Sequence, residues 1–558
     1  MSTPTPARNL TLYRNGSVYS AADPFASAML VDGDTVAWIG SEQAATSIAD
    51  STMHIVDLQG ALVTPGFVDS HVHLTETGAA LASLNLAEIG SAQELLATIE
   101  AGATANGSAV LLGHSWDNSA WRDHTLPTSE QLARAAGGKD FYLTRVDVHS
   151  ALVSQKLAEQ SGATSLPGWD AVHSLVTREA HAAVRPLARK FAPSQLQEFQ
   201  RAALHEASRN GYVALAEMSS PQIAGMDDFR LATSWTSQAT ATPSVYGYWG
   251  QLVSTEAQAR ELVEALGSKV RGLAGDLNMD GALGSRTAAL RTDYADAAGE
   301  RGAAYLNVEQ AAQHLAACTQ AGLQGGFHMI GDAALDTALE ALDRVATQLG
   351  GGAVRAAAHR FEHVEMADAQ AIERLAAHSV TVSAQPSFDA TWGSADGMYA
   401  QRLGERHVGM NPFASMFRAG VPLAFGSDSP VTALRPWDSI RACLNHNTAS
   451  ERISARAAFI GHTRAGWRAL RESNPLLGQL VPGAPASFAV WEVEELMVQV
   501  ADERVQSWST DPRARTPLLP ALDGDAEPIC LQTVANGTEI YSAEQLDSAG
   551  NHEASKWL

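Results

Sequence analysis

The sequence contains few cysteines, few positive charges and no long apolar run. Its 558 residues include three cysteines, Cys318, Cys443 and Cys530, which lie too far apart for a zinc knuckle and imply no disulfide framework. Lysine and arginine number 38 against 61 aspartates and glutamates, which gives a formal net charge of −23. Nucleic acids and anionic membranes bind clustered cations, so this charge balance argues against both as partners.

Segments that direct a chain into or across a membrane are also missing from the sequence. No run of about 18 apolar residues occurs, and the first residues lead into no apolar segment of the signal-peptide type. The sequence therefore predicts a cytoplasmic protein that has no membrane-spanning helix.

Several motifs that would assign other chemistries do not occur. Neither G-x-G-x-x-G nor G-x-x-x-x-G-K-[ST] is found, so a nucleotide-binding open sheet has no support. The lack of a G-x-S-x-G elbow argues against a serine hydrolase, and the lack of H-E-x-x-H excludes the zincin arrangement.

Apolar residues and histidines are plentiful. Hydrophobic residues make up 45% of the chain and charged residues 18%, a composition that can bury a large core and excludes a disordered chain. The length suits one large α/β barrel with a smaller domain, or three ordinary domains. The 18 histidines are nearly half as many as the lysines and arginines together, so either they are scattered or some of them form a site.

Strand-like runs and turn signals occupy both ends of the chain. Between residues 9 and 66, short apolar runs are separated by turns such as Asn15-Gly16 and Asp32-Gly33. Near the C-terminus, similar runs cover 487–491 and 530–535 and are followed by the Asn536-Gly537 turn. The two ends are therefore expected to pair into one small β domain.

Helical patterns alternate with short apolar runs from about residue 194 onward. A capping box over 194–197 opens one predicted helix, and Gly211 closes it. Two further helices are predicted at 256–266 and 307–321. Strand-like runs occur at 212–218, 272–280, 323–329, 358–364, 380–385 and 422–426. This alternation predicts parallel βα units, and a closed (β/α)₈ barrel fits it better than an open sheet.

Two histidines end the predicted buried strand 67–72. Residues two apart on a strand point to the same side, so the imidazoles of His71 and His73 can reach one ion. Active sites of barrels lie at the C-terminal ends of the strands, where this pair sits. The alternative is that they are neighbouring surface histidines that bind no metal.

Three further candidates follow later apolar runs: His328, His363 and Asp428. At the same end of different barrel strands, they would converge with the first pair at the barrel mouth. Taken singly, each histidine could be a satisfied interior residue and Asp428 a helix N-cap. Taken together, those explanations require separate coincidences that share one geometry.

These segments resemble the metal-dependent amidohydrolase superfamily, and within it the amidohydrolase-3 or YtcJ-like branch, which includes N-substituted formamide deformylases. The resemblance covers residues 10–541 approximately. It is carried by PGFVDSHVH (65–73), SWD (115–117), RVDVH (145–149), DGALGSRTA (280–288), HMIGD (328–332), RFEH (360–363), SAQP (383–386), GSDSP (426–430) and GQLVPG (478–483).

The resemblance implies a (β/α)₈ TIM-type barrel over residues 67–477 and a small β-sandwich domain built from 1–66 and 478–558. It also implies metal-ligand roles for the residues His71, His73, His328, His363 and Asp428. Imidazole and carboxylate ligands suit Zn²⁺, and Fe²⁺, Mn²⁺ or Co²⁺ can occupy the same ligands.

One position departs from the family pattern. Many relatives carry a carboxylated lysine that bridges two metals, four residues before the Asp-Gly that matches Asp280-Gly281, and this sequence has Asp276 there. Asp276, Asn278 and Asp280 alternate and are expected to share one face of a strand. Asp276 either binds or bridges metal, or makes hydrogen bonds around a mononuclear site. Glu217 is a rival carboxylate at a strand end, so the number of bound ions, one or two, stays open.

The expected mechanism follows from these ligands. A divalent ion can lower the pKa of bound water from 15.7 to about 7 and polarise a carbonyl group. Asp428 would accept the water proton and deliver it to the leaving nitrogen, and His149 or the metal would stabilise the oxyanion. Other candidates for substrate binding are Trp116, Glu217, Asp280, Arg286 and Gln385.

The sequence thus predicts a metal-dependent hydrolase that cleaves a non-peptide amide, N-acyl or N-formyl C–N bond in a small molecule. An ester, lactone or deaminase substrate on the same scaffold is the alternative, and a non-catalytic barrel protein is a third interpretation. A homo-oligomer is the common state for soluble enzymes.

Overall fold

A computed structural model describes residues 9–105, 110–122, 124–500, 507–509, 517–524 and 526–543. Parts of both predicted terminal segments, 1–66 and 478–558, therefore lie outside the described residues. No helix within the described ranges is long and apolar enough to cross a membrane.

The strands of the described residues are as follows, in chain order: β1 (Leu10–Arg14), β2 (Ser17–Val18), β3 (Ala28–Asp32), β4 (Thr35–Gly40), β5 (His54–Asp57), β6 (Leu62–Pro65), β7 (Phe67–Val72), β8 (Leu84–Asn85), β9 (Val110–Trp116), β10 (Asp140–Arg145), β11 (Ser150–Val153), β12 (Trp169–Asp170), β13 (Leu175–Thr177), β14 (Tyr212–Ser219), β15 (Ser244–Trp249), β16 (Val270–Leu273), β17 (Gln324–Met329), β18 (Arg360–His363), β19 (Thr381–Ala384), β20 (Leu423–Phe425), β21 (Phe488–Glu492), β22 (Leu496–Val500), β23 (Ser507–Ser509), β24 (Leu519–Pro520), β25 (Ile529–Ala535) and β26 (Thr538–Ser542).

The α-helices are as follows: α1 (Glu42–Ile48), α2 (Leu74–Leu81), α3 (Ala92–Ala105), α4 (Ser129–Ala135), α5 (Gln155–Gln160), α6 (Arg178–Ala188), α7 (Pro193–Arg209), α8 (Met226–Ser234), α9 (Ser237–Thr240), α10 (Glu256–Leu266), α11 (Val308–Ala321), α12 (Asp332–Leu349), α13 (Gly351–Ala357), α14 (Ala369–Ala377), α15 (Pro386–Trp392), α16 (Met398–Leu403), α17 (Phe413–Ala419), α18 (Pro436–Leu444), α19 (Ala455–Gly461) and α20 (Arg464–Ala469).

Eight parallel strands form the central sheet, in the order β7-β14-β15-β16-β17-β18-β19-β20. Its two edges meet through a parallel bridge between Val72 and Ser429, and the Asp428 amide donates to the His71 carbonyl at 2.8 Å. The sheet is thus a nearly closed α/β barrel. The predicted TIM-type fold is confirmed.

Strands from both ends of the chain share a sheet beside the barrel. Its order is β2-β6-β21-β25-β26, and β6 pairs antiparallel with β21 so that Leu62 lies opposite Trp491. A second sheet, β4-β3-β1-β5, packs its apolar side chains with this one, including Val31, Val63 and Phe488. The described terminal strands therefore pair as the sequence predicts, while the domain boundaries stay a prediction.

A separate six-stranded sheet, β12-β13-β11-β10-β9-β8, is inserted between barrel strands β7 and β14. It has its own core, with Leu95, Leu111 and Phe141 buried. The sequence analysis did not recognise this insertion, although its loops bring the residues around 115–121 and 145–149 to the barrel mouth.

Two helices match the sequence prediction closely, and two details need correction. Helix α10 has the predicted ends, and α11 is capped by Asn307 and Gly322. Helix α7 begins at Pro193, so Ser194 is not its cap, because proline suits the first helical position. The run 272–280 was expected as one strand, but β16 ends at Leu273.

Candidate metal centre

The two histidines at the C-terminal end of β7, His71 and His73, face two carboxylates at the barrel mouth. Nε2 of His71 lies 3.6 Å from Oδ1 of Asp276 and 3.4 Å from Oδ1 of Asp428. Nε2 of His73 lies 3.3 Å from Oδ2 of Asp276 and 3.2 Å from Oδ1 of Asp428. All four residues lie at most slightly exposed to solvent, so their polar atoms face one another rather than water.

His328, near the end of β17, and His363, at the end of β18, lie on the other side of Asp276. Nδ1 of His328 is 2.9 Å from Nε2 of His363 and 3.8 Å from Oδ1 of Asp276. The carboxylate of Asp276 thus lies close to histidines of both pairs.

Three sets of side chains in the described residues offer ligand atoms that lie within 4.8 Å of one another: His71–His363–Asp428, His71–His73–Asp276 and Asp276–His328–His363. Three of these ligand atoms, Nε2 of His71, Oδ1 of Asp276 and Oδ1 of Asp428, are buried and have no hydrogen-bond partner. A buried polar atom without a partner is costly. A divalent cation satisfies such a set of imidazole and carboxylate donors, so these residues fit a metal ion.

The ring nitrogens that point away from this cluster are held by other groups. Nδ1 of His71 lies 2.8 Å from a carboxylate oxygen of Glu362, and Nδ1 of His73 lies 2.7 Å from the Met218 carbonyl. Nδ1 of His363 lies 2.7 Å from Oε1 of Gln385. Such contacts fix the ring orientation and leave the other nitrogen free to bind metal.

Glu362 was not assigned a role from the sequence, although it stands inside the RFEH motif. Glu362 is fully buried between His71 and Arg360. Nε of Arg360 donates to Oε1 of Glu362 at 2.6 Å. Burial raises its pKa, but the Arg360 guanidinium outweighs burial and holds the pKa at about 2. Glu362 is therefore an anion that orients the first ligand.

The carboxylates also control the charge of the imidazoles in the cluster. Burial lowers the pKa of His73, but Asp276 and Asp428 outweigh burial and raise it to about 10. In the same way, Asp276 raises the pKa of His328 to about 9. Burial and the neighbouring His328 lower the pKa of His363 to about 3. The carboxylates of Asp276 and Asp428 thus make the centre of this cluster a favourable place for positive charge.

Two of the cluster residues have backbone conformations that are rare for non-glycine residues. The φ angle is +68° at His363 and +55° at Asp428. Asp69 holds this region together, because its Oδ1 accepts from the amides of His71 and Ser427 at 3.0 Å each. Strained conformations of this kind concentrate at functional sites.

His149 reaches the cluster from the inserted sheet. Its ring centroid lies 5.1 Å from that of His328, and its backbone amide donates to Oδ1 of Asp147 at 3.2 Å. Burial and the nearby His328 lower the pKa of His149 to about 4. The imidazole is therefore neutral near pH 7 and can donate one hydrogen bond.

The structure places Asp280 apart from the cluster, and this corrects the expected strand face. Asp276 and Asp280 do not lie on one strand. Asp276 points to the histidines, whereas the buried carboxylate of Asp280 accepts from the amides of Ala289, Ile330 and Gly331. The cause is the end of β16, after which the chain turns.

Four other predicted substrate residues are held by partners and do not line the cavity. Trp116 is buried in the inserted sheet and donates to the Leu143 carbonyl. Glu217 accepts from the Leu74 amide at 2.7 Å, and Arg286 is paired with Asp296. Gln385 holds His363, as described above. None of the four is among the side chains that line the cavity beside the cluster.

A small cavity lies directly beside the cluster. His149, His328, His363 and Asp428 line it together with residues that the sequence analysis missed: Phe388, Trp392, Met398, Tyr399 and Glu365. Oε2 of Glu365 accepts from the Tyr399 hydroxyl at 2.5 Å. The helices α15 and α16 supply most of this wall, and no sequence motif marks their contribution.

Comparison with known proteins agrees with this arrangement. The amidohydrolase family matches residues 54–541, which is most of the chain. The chain belongs to the amidohydrolase family. This family of hydrolases is the one that the sequence motifs indicated, and the predicted resemblance is confirmed.

Several relatives of this amidohydrolase are similar over most of their length. It is 27% identical to the Arabidopsis thaliana protein LONG AFTER FAR-RED 3, over 86% of each chain. It is 25% identical to the putative amidohydrolase YtcJ of Bacillus subtilis (strain 168), over 71% of this chain and 75% of that protein. It is 21% identical to the N-substituted formamide deformylase of Arthrobacter pascens, over 78% of this chain and 83% of that protein.

A solved structure supports the fold of this amidohydrolase. An uncharacterized metal-dependent hydrolase from Pyrococcus horikoshii OT3 matches with a TM-score of 0.68 and 23% identity, over 87% of this chain and 98% of that one. A likeness at this identity shows the shared fold.

Proposed function

We propose that this amidohydrolase is a metal-dependent enzyme that cleaves the C–N bond of a non-peptide amide, an N-acyl or N-formyl amine. The observation that carries the proposal is the convergence of three buried, unpartnered ligand atoms on Asp428, Asp276 and His71. The N-substituted formamide deformylase of Arthrobacter pascens is a relative whose name states this type of bond.

The residues fit two ions that share one carboxylate. His71, His73 and Asp428 would hold the first, His328 and His363 the second, and Asp276 both, because its carboxylate lies 3.3 Å from His73 and 3.8 Å from His328. Zn²⁺ suits these donors. A bound divalent ion lowers the pKa of a water molecule to about 7 and polarises a carbonyl group.

Asp428 has the position of the proton carrier. Its carboxylate lines the cavity and lies beside His71 and His73, which hold its pKa below the usual value although burial opposes this. As an anion it accepts a proton from the attacking water and passes it to the leaving nitrogen. An amine leaves poorly without a proton, so this transfer favours an amide as the substrate.

His149 has the position of the oxyanion donor. It is neutral, it lines the same cavity, and its ring lies beside His328. A neutral imidazole donates a hydrogen bond to the oxygen of the tetrahedral intermediate without adding a charge that would repel metal.

The test uses purified protein that has been stripped with a chelator and reloaded with Zn²⁺, Mn²⁺, Co²⁺ or Fe²⁺. N-formyl and N-acyl amines are assayed beside the esters of the same acyl groups, with release of amine or alcohol as the readout. We expect amine release by reloaded protein and none by stripped protein. Cleavage of esters alone, or equal rates with and without metal, would refute the proposal.

A further inference from the structure

A second, larger space adjoins the cavity beside the metal cluster, and we call it the vestibule. The two spaces share three lining residues, Trp392, Met398 and Val431. His114 and Ser115, near the end of β9, line the vestibule and are partly exposed to solvent. They stand outside the metal cluster described above, so a reaction at this pair would be separate from that of the metal centre.

A β-bulge brings these two neighbours together. β9 pairs in parallel with β10, and between Gly113 and Trp116 two residues of β9 face one residue of β10. Successive residues of a regular strand point to opposite faces, whereas a bulge changes the direction of one of them. The side chains of His114 and Ser115 therefore reach each other at the vestibule wall.

Ser115 stands at a strained turn between a strand and a helix. Its φ angle is +68°, in the left-handed region that normally favours glycine. β9 ends one residue later, and a short 3₁₀ helix (Asn118–Ala120) follows. Serine hydrolases of the α/β type hold their nucleophile in a strained G-x-S-x-G elbow between strand and helix. The run GHSWD (113–117) differs from that motif only at its last residue, so the backbone here presents a serine hydroxyl as an elbow does.

The Ser115 hydroxyl is bonded to a neutral imidazole. Its Oγ lies 2.8 Å from Nδ1 of His114. Burial and then the Arg189 guanidinium lower the pKa of His114, whereas a hydrogen bond to the Ala80 carbonyl opposes this lowering. A neutral imidazole has a single N–H and a carbonyl can only accept, so the N–H is given to Ala80 and Nδ1 accepts the proton of Ser115. A serine nucleophile and its base are arranged in this way.

We propose that Ser115 and His114 form a second reactive site, at which the Ser115 hydroxyl takes the acyl group of an aryl ester without help from a metal. Oγ attacks the ester carbonyl while its proton passes to Nδ1 of His114. The bond from the acyl carbon to the phenolic oxygen breaks, and the phenolate leaves and takes up that proton. Water then hydrolyses the serine ester to a carboxylic acid. Aryl esters are the class that fits this pair, because a phenolate leaves more readily than an amine does.

p-Nitrophenyl acetate tests this site in protein stripped of metal, where the metal centre takes no part. We expect peptide mass spectra to show an acetyl group on Ser115, with an initial release of about one p-nitrophenolate per chain. Ser439 is the internal control, because its Oγ also lies 2.8 Å from a histidine nitrogen, that of His462, but both residues are buried. The three cysteines are buried as well and do not compete. Acetylation of Ser115 no greater than that of exposed serines would overturn the proposal, whatever the result for metal-dependent amide hydrolysis.

Two variants separate the nucleophile from its base. Ser115→Gly suits the positive φ angle, so it should fold and lose both the acetyl group and the initial release. His114→Gln should keep Ser115 but slow its acetylation by about 10²-fold, because the base is lost.

The matched control is Ser83→Ala, because Ser83 lines the same vestibule and its hydroxyl donates to the Ala80 carbonyl at 3.1 Å instead of to an imidazole. This variant should react like the natural protein, and circular dichroism checks that all three are folded. An unchanged initial release by Ser115→Gly, or an unchanged rate of acetylation in His114→Gln, would overturn the proposal.

Discussion

Oδ1 of Asp276 lies 3.8 Å from Nδ1 of His328, across the metal centre from the two histidines at the C-terminal end of the first barrel strand. The other oxygen of the same carboxylate lies 3.3 Å from Nε2 of His73. One short side chain thus connects both halves of the site, at the position where many relatives carry a longer, carboxylated lysine. This geometry favours the bridging hypothesis over a purely hydrogen-bonding role.

Replacing Asp276 with alanine should therefore lower the metal content from about two ions per chain to one or fewer, because both ions lose a shared ligand. Plasma mass spectrometry of purified protein measures this ratio. Asp227→Ala is a suitable control, because its side chain is 98% exposed. An unchanged metal content in Asp276→Ala would limit Asp276 to hydrogen bonding.

Asp428→Asn should keep most of the metal and lose turnover. The amide can still offer an oxygen ligand but cannot accept the proton of water, so we expect kcat to fall by about 10³-fold. Metal analysis and steady-state kinetics on one preparation make the comparison. If Asp428→Asn retains a tenth or more of the activity, Asp428 is not the proton carrier.

His149→Ala should lower kcat by about 10²-fold at unchanged metal content, because the hydrogen bond to the oxyanion is lost. His149→Asn supplies an amide N–H in nearly the same place and should recover part of that loss. A rise in KM with no change in kcat would show that His149 binds the ground state instead.

The positions of the histidines and of Asp428 at the ends of apolar runs predicted much of this site, because the ligands of a barrel site lie at the C-terminal ends of its strands. His71, His328 and His363 lie in the last two residues of their strands and Asp428 follows another strand, and the parallel order brings these ends together. Helix α11 was equally readable, since its capping residues Asn307 and Gly322 are local signals.

What the sequence could not predict depends on contacts between distant segments. The turn after Leu273 separates Asp276 from Asp280, although alternation suggests one face. Phe388, Trp392 and Glu365 reach the cavity only because α15 and the segment after β18 fold over the mouth. His149 follows β10 in the inserted sheet, where β9 pairs in parallel with both β8 and β10 across intervening segments of the chain.

Glu217 is expected to make stability depend on pH in metal-free protein. Burial raises its pKa from the ordinary 4.5 to about 8, so the folded state binds a proton that the unfolded state releases between these values. Stability therefore falls as the pH rises from about 4.5 to 8. Glu217→Gln removes this penalty and should add about 3 kcal/mol to the unfolding free energy at pH 7.

Chemical denaturation at pH 5 and pH 7 measures that difference. The variant should gain stability over the natural protein at pH 7 and much less at pH 5. The lower pH lies only about half a unit above the ordinary pKa of glutamate, so the unfolded state gains little from ionising this carboxyl there. An equal gain at both values would contradict a raised pKa for Glu217.

The metal content of the natural protein beside that of a His71→Ala/His73→Ala variant tests the central claim most directly. We predict about two divalent ions per folded natural chain and at most one in the variant, because two ligands of the first ion are lost and Asp428 and Asp276 alone hold it weakly. Equal metal content in the two folded proteins, or none in either after incubation with Zn²⁺, would contradict the metal centre.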